Sequence, residues 1–267
     1  MTTTPSTDAP PRARRQRVQA AETGTAILKA LGSLGGRASL TLIASHLEES
    51  PAKVHRYLVS LVEGGLVAQD KATQQYFLGL ETLLLGLAAM RQADPIRLAE
   101  ASLLRLREEL EVTCFVAVMG NKGPTIVRFE EPGLPVTVNV RVGSVLPLLW
   151  SATGRAFLNV LDDQRVMEIA REELRVATPA QRALLDAQHP IENLRLTLSA
   201  SDCVSIRDTN LPGISAVSAP LRNYTGRPCA VLTALGATGG FDASPDGLIG
   251  QAIQREARIV SELLGYV

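Results

Sequence analysis

Two periods of apolar residues run through this chain, and they divide it into recognisable pieces. Between residues 18 and 34, Ile27, Leu28 and Leu31 recur at helical spacing, and Gly35-Gly36 ends the pattern. Residues 38–40 read as a short extended piece. Thr41 is then placed to cap a compact helix over 42–47. The stretch 50–61, SPAKVHRYLVSL, predicts a second helix, with Ser50 as its cap and Pro51 in the first helical position. Val54, Tyr57, Leu58 and Leu61 make its apolar face. Lys53, Arg56 and Ser60 fall opposite, with His55 at the edge. Gly64-Gly65 closes this helix. The period then changes to two: residues 66–69 and 75–78 flank a polar loop over 70–74, which predicts a hairpin. Helix, helix, turn, helix and hairpin in that order describe a winged helix-turn-helix.

Residues 80–92, LETLLLGLAAMRQ, predict a helix apolar enough to need a partner. Leu83, Leu84, Leu87 and Met90 form a face suited to another helix, such as one from a second subunit. Asp94-Pro95 breaks it and starts a helix to residue 110, carrying Leu98, Leu103, Leu106 and Leu110. Beyond lie strand-like runs at 112–119, 126–131 and 136–142, with a turn over 120–124. Ser151 or Thr153 opens a helix through Leu161, and helical patterns cover 162–174, 179–188 and 191–199. Strands follow at 204–207, 214–221 and 228–236, the last two joined by a turn at 223–227. Ser244-Pro245 starts a final helix ending near Gly265. This half is an α+β arrangement with helices packed on an antiparallel sheet. The expected division is a basic arm at 1–17, the winged domain at 18–79, a linker helix at 80–94 and the α+β domain at 95–267.

Composition narrows the function classes. The chain is 46 % hydrophobic and 20 % charged, as soluble globular proteins are, and its formal net charge is zero. The charge is unevenly spread. Residues 1–80 hold nine Lys/Arg against six Asp/Glu, and the rest hold 18 against 21. A basic front and an acidic back suit a DNA reader joined to a sensor. Arg12, Arg14, Arg15 and Arg17 form an arm for DNA backbone or minor groove, or simply a solubilising tail. No apolar run reaches membrane-spanning length, and none follows the N-terminal arginines as a signal peptide requires. Cys114, Cys203 and Cys229 lack metal-ligand spacing and read as free thiols in a reducing cytosol, with Cys114 and Cys229 in the core. The three histidines, His46, His55 and His189, have no triad or metal partners in sequence. Asp162-Asp163 and Glu172-Glu173 read as solvated helix faces. No cofactor, metal or enzymatic activity is expected.

Four segments in order carry a resemblance: LIASHLEESPAKVHRYLVSLVEGGLVAQD, QQYFLGLETLLLG, VRVGSVLPLLWSATGRAFL and GISAVSAPLRNYTGRPCAVLTALG. Over residues 18–264 the chain resembles the isocitrate-lyase-regulator (IclR) family of bacterial transcription regulators. The resemblance implies a winged helix-turn-helix, a linker helix and a C-terminal effector domain similar to GAF and PAS sensors. It also implies a homodimer or dimer of dimers on a double-stranded DNA operator, controlled by a small organic acid. On the DNA side the candidates are Lys53, His55, Arg56, Ser60 and, on the wing, Lys71. Arginine makes bidentate contacts to guanine or phosphate, whereas lysine acts as a point charge. Family members often carry Ser or Thr where Lys53 stands.

For the effector, the run Ser151-Ala152-Thr153-Gly154 opens a helix whose free N–H groups attract a carboxylate. The resemblance puts the acid group at Ala152 and Thr153. Glyoxylate and pyruvate sensors of the family line the site with Asp, Cys and two Ser; Ile206, Ala216, Thr233 and Leu235 occupy those positions here. Val138 and Leu146 extend the apolar wall, Trp150 replaces a smaller residue, and Arg207 either pairs with an acid group or faces solvent. Such a pocket predicts an aromatic or similarly bulky carboxylate. A small aliphatic keto acid is the alternative effector. The alternative function is a small-molecule-binding or enzymatic α+β protein whose helix-turn-helix serves protein contacts.

Overall fold

The helix-turn-helix periodicity, the wing hairpin and the α+β pattern all reappear in the computed structural model, which describes residues 18–133 and 140–266. The arginine arm, Val138 and most of the strand expected over 136–142 lie outside the described residues; residues 140–142 are not strand. The chain divides into two compact units between Arg91 and Gln92.

In the first unit α1 (Gln19–Ser33), α2 (Leu40–His46) and α3 (Pro51–Glu63) enclose Ile27, Leu31, Ile43, Val54 and Leu58, all fully buried. Ser39, not Thr41, caps α2: its Oγ accepts the Leu42 N–H at 3.3 Å, so the helix opens two residues earlier than the pattern predicts. Ser50 caps α3 as expected, accepting the Lys53 N–H at 3.3 Å. The strands β1 (Arg37–Ala38), β2 (Val67–Gln69) and β3 (Tyr76–Leu78) pair antiparallel in the order β1-β3-β2 and form the wing. The next helix, α4 (Leu80–Gln92), buries none of its residues. Leu80, Leu83, Leu84, Leu87 and Met90 are each at least 40 % exposed.

The second unit starts with α5 (Pro95–Leu110), capped by Asp94, whose Oδ1 accepts the N–H groups of Ile96 and Arg97. A hairpin follows, β4 (Thr113–Gly120) and β5 (Gly123–Glu130); its turn is only Asn121-Lys122, because Gly120 and Gly123 already pair. Four helices come next: α6 (Ala152–Val160), α7 (Gln164–Val176), α8 (Pro179–Arg182) and α9 (Pro190–Leu198). The helical pattern over 179–188 thus shrinks to one turn, closed by the Thr178–Gln181 capping box. The strands β6 (Val204–Arg207), β7 (Ile214–Arg222) and β8 (Pro228–Ala237) complete a five-stranded antiparallel sheet, ordered β5-β4-β8-β7-β6. The last helix, α10 (Leu248–Leu263), begins after Gly247 instead of at Ser244-Pro245. Asp242 accepts the Ser244 N–H at 3.0 Å and holds that segment as a turn.

Alternation along the strands splits the sheet into two faces. Cys114, Val116, Val217, Ala219, Leu232 and Ala234 face α5 and α10 in one core. Phe115, Ala117, Val204, Ile206, Ala216, Val231 and Leu235 face α6, α7 and α9 in the other. On the first side α5 and α10 are locked together by Glu256, which is 2 % exposed. Its Oε2 accepts from Arg105 Nη2 at 2.6 Å and Nε at 3.1 Å, and its Oε1 lies 3.4 Å from Arg255 Nε.

Burial alone would raise the Glu256 pKa, but the hydrogen bonds from Arg105, Ser102 and Arg255 outweigh it and hold the carboxyl below its ordinary 4.5. A depressed carboxylate stabilises the fold above the unfolded-state value, and that contribution is lost as pH falls through the folded one. Wild-type protein should therefore lose stability below about pH 4.5. Glu256→Gln should be less stable at pH 7 and show a shallower decline between pH 5 and 3, as read by thermal unfolding across pH.

Candidate functional site

The helical turn decides which α3 residues can meet DNA. With Val54 and Leu58 turned into the core, Ala52, His55, Arg56, Val59 and Ser60 are exposed together. Arg56 has no ion-pair or hydrogen-bond partner among the described residues, so its five donors are available. His55 rests against the wing, its Nδ1 3.4 Å from the Tyr76 hydroxyl. Lys53 is half-buried and salt-bridged to Glu49 at 2.5 Å, so this pair competes with a phosphate for its ammonium. Such a pair is worth about 0–1 kcal/mol, a small obstacle. Sequence reading missed Ala52 and Val59, although the same periodicity places them on the face. Their methyl groups suit the thymine methyl in a major groove.

The wing tip is fixed by Asp70. Its Oδ1 accepts the N–H groups of Ala72 and Thr73, and its Oδ2 accepts from Arg37 Nη1 at 2.8 Å. The Arg37 hydrogen bond, with those backbone N–H groups, holds the Asp70 carboxyl below its usual range. Arg37 also lies over the Phe77 ring, 4.9 Å from its centroid. On this braced loop Lys71 is exposed, and its ammonium is unpaired among the described residues.

The second site lies in the α6 side of the sheet. Ser151 caps α6: its Oγ accepts the Gly154 N–H at 2.9 Å and donates to the Pro147 carbonyl at 2.6 Å. The N–H groups of Ala152 and Thr153 have no acceptor among the described residues. Beside them Thr153 Oγ1 is 2.9 Å from Thr233 Oγ1, which is 2.8 Å from Ser218 Oγ. All three hydroxyls are at most 1 % exposed. Leu146, Ser151, Ala152, Thr153, Ile206, Ala216, Thr233 and Leu235 together line one cavity of about 40 Å³. Phe115, Val140, Asn210, Leu211 and Ile214 complete its wall. The strand residues meet there through register: Ile206 pairs with Ala216, Ala216 with Leu235, Ser218 with Thr233, and Thr233 with Phe115.

Arg207 is corrected. It is exposed, because alternation along β6 turns Ile206 inward and its neighbour outward. The Glu172-Glu173 pair is corrected too. Glu172 is solvated and forked to Arg175, but Glu173 turns inward and accepts the Leu148 N–H at 2.6 Å and the Leu149 N–H at 2.9 Å. Burial raises the Glu173 pKa against the opposing pull of those two N–H groups. Arg155 donates to the Leu149 carbonyl at 2.8 Å, and burial lowers its pKa. Together Glu173 and Arg155 fix the backbone that leads into the α6 N-terminus. Asp163 likewise caps α7 through the Arg165 N–H.

A larger depression of about 410 Å³ beside α7 and α8 is lined by Arg171, Arg175 and Arg182. It is open to solvent, Arg175 is committed to Glu172, and Arg182 donates to the Arg175 carbonyl. Cys114 and Cys203 are core thiols: burial pushes them up to about 12 and about 11. Cys229 is half-buried. Among the described residues, no three His, Cys, Asp or Glu side chains could hold a metal ion. Among the described residues, no helix is long and apolar enough to cross a membrane.

Glu173→Ala should lower stability by about 1–3 kcal/mol, since it strands two backbone donors that only the carboxylate satisfies. Glu172→Ala, which removes an exposed pair, should leave the Tm unchanged. Equal Tm values for the two variants would contradict the assignment.

Comparison with known proteins matches these two units to one family. A model of the IclR helix-turn-helix domain matches residues 20–71, and a model of the bacterial transcriptional regulator IclR C-terminal domain matches residues 87–262. The crystal structure of Pseudomonas aeruginosa HmgR is 41 % identical, covers 93 % of this chain and 99 % of its own, and superposes with a TM-score of 0.83. The transcriptional repressor AllR of Escherichia coli K12 is 26 % identical over 249 residues, 92 % of this chain and 90 % of AllR. An IclR homologue from Microbacterium hydrocarbonoxydans, solved with 4-hydroxybenzoate, shares the fold at 16 % identity, with a TM-score of 0.51 over 92 % of this chain and 98 % of its own. The chain belongs to the IclR family of bacterial transcriptional regulators, and its work is DNA-binding regulation, not enzymatic catalysis.

Proposed function

We propose that this regulator senses an aromatic or similarly bulky carboxylate, held in the α6 cavity, and that occupancy sets its affinity for operator DNA. One observation carries the reading. Two free backbone N–H groups, of Ala152 and Thr153, and the Thr153 and Thr233 hydroxyls, backed by Ser218, meet at a cavity whose other walls are mainly apolar. The N–H groups and the positive end of α6 suit an anion. Phe115, Ile206, Ile214, Ala216 and Leu235 suit an apolar body and give a small hydrated acid little to bond. The 4-hydroxybenzoate complex of the distant Microbacterium hydrocarbonoxydans homologue agrees with this chemistry.

The size of the cavity favours a second reading. A benzene ring occupies a cavity of about 150 Å³, whereas this one measures about 40 Å³, nearer to the needs of a two- or three-carbon keto acid. The aromatic reading therefore requires the walls to part on binding. That change is useful in a sensor, because a ligand shifts an equilibrium only when it favours one of two conformations. On the output side, Arg56 and Lys71 contact operator DNA, with His55 and Ser60 beside Arg56 on α3. The exposed apolar residues of α4 pair with a second copy, giving a homodimer or dimer of dimers.

Isothermal titration calorimetry of the full chain should give tighter binding for benzoate- or phenylacetate-type acids than for glyoxylate or pyruvate, with a negative ΔCp. Binding of glyoxylate or pyruvate alone would establish the small-acid reading instead. Arg56→Ala should weaken operator binding by about 1–3 kcal/mol in fluorescence anisotropy while leaving the Tm unchanged. Unaltered affinity would remove Arg56 from the interface.

A further inference from the structure

The cavity has a second polar feature, which the carboxylate does not use. Asn210, in the loop between β6 and β7, lines it, is half-buried, and has no hydrogen-bond partner for its carboxamide among the described residues. The rest of that loop is braced. Asp208 Oδ1 accepts the Gly213 N–H at 2.7 Å and the Thr238 hydroxyl at 2.8 Å, and Thr209 Oγ1 donates to the Arg207 carbonyl at 3.1 Å. An idle amide on a braced loop is preorganised for a partner from outside the chain.

Register separates this amide from the anion corner. Ser218 pairs with Thr233 at the hydroxyl cluster, Ala216 lies two residues along β7, and β7 begins at Ile214, beside the loop that carries Asn210. Four residues of strand span about 13 Å. The apolar wall of Ala216, Ile206 and Leu235 fills the interval. The arrangement is therefore N–H and hydroxyl donors, an apolar stretch, and then an amide that both donates and accepts.

We propose that Asn210 is a specificity-determining residue that reads a hydroxyl on the effector ring, away from its carboxylate. The proposal rests on the aromatic-acid reading above, but the two fail in different ways. A phenolic hydroxyl donates to the Asn210 carbonyl oxygen or accepts from its Nδ2, and an unsubstituted ring leaves the amide to water. Because Asn210 is only half-buried, water compensates part of the loss. The preference for the hydroxylated ligand is then about tenfold, the size of one neutral hydrogen bond, and well short of what a dry site achieves.

The test is calorimetry on the full chain with benzoate, phenylacetate and their ring-hydroxylated counterparts, comparing wild type with Asn210→Leu, which keeps the branching at Cγ and replaces the two polar atoms with methyl groups. Wild type should favour at least one hydroxylated acid over its parent by about tenfold. Asn210→Leu should erase that preference by weakening the hydroxylated acid while binding the parent as before, which also shows that the variant is folded. Parent and hydroxylated acids bound within twofold of each other by wild type, or a preference that survives in Asn210→Leu, overturns the role of Asn210 and leaves the aromatic site standing. Binding of none of these acids overturns the aromatic reading and the role of Asn210 together.

Discussion

The close approach of Gly154 to the Pro147–Leu148 backbone determines where α6 begins and what its first turn can do. A Cβ at Gly154 would sit 2.2 Å from the Pro147 carbonyl oxygen and 2.5 Å from Leu148 Cα, and neither atom can swing aside. Only glycine lets the helix seat at that depth. Ser151 closes the contact from one side by bonding both Gly154 N–H and Pro147 O. Glu173 and Arg155 hold the N–H groups of Leu148 and Leu149 and the carbonyl of Leu149 from the other. Fixed in this way, α6 presents the Ala152 and Thr153 N–H groups to the cavity and brings the Thr153 hydroxyl within 2.9 Å of Thr233.

The sheet separates a clamped face from one that keeps a cavity. Its one face is packed by α5 and α10 and clamped by the Arg105–Glu256 pair. Its other face keeps a cavity among Phe115, Ile206, Ala216 and Leu235. Leaving polar groups in an apolar cavity is costly unless they bond one another. Thr153, Thr233 and Ser218 meet that condition in a chain. Three hydroxyls carry three protons and need two for their mutual bonds, so one remains to offer an anion. Once the ligand fixes its direction, each bond in the chain polarises the next.

Much of this was legible in the sequence because it was local. Ser50-Pro51 marked the start of α3, the spacing of Val54 and Leu58 marked its buried face, and strands 204–207, 214–221 and 228–236 matched β6 to β8 closely. The α6 site followed from Ser151-Ala152-Thr153-Gly154 and from family resemblance, and eight of the ten expected effector residues line the cavity. Of the other two, Val138 lies outside the described residues, and Arg207 points away by the same alternation that turns Ile206 in. What the sequence hid was long-range or irregular. Glu173 looked like half of a solvated pair because its partners are backbone N–H groups 24 and 25 residues earlier. Ser218 is invisible as a site residue until β7 and β8 are in register. Asn210 lies in a loop with no periodicity to read. The choice of Ser39 over Thr41 was a close contest between two good caps, decided by where the backbone turns.

The proposed switch couples an acid at the α6 N-terminus to what α3 does to DNA. The direct measurement is anisotropy of DNA from upstream of the regulator's own gene, titrated with wild type and with Thr153→Val, each with and without a saturating hydroxylated aromatic acid. Thr153→Val keeps the side-chain shape and removes the hydroxyl that heads the buried chain. The acid should shift the DNA affinity of wild type, and Thr153→Val should bind DNA as well as wild type but need far more acid for the same shift. An identical acid response in both proteins would contradict the proposed switch.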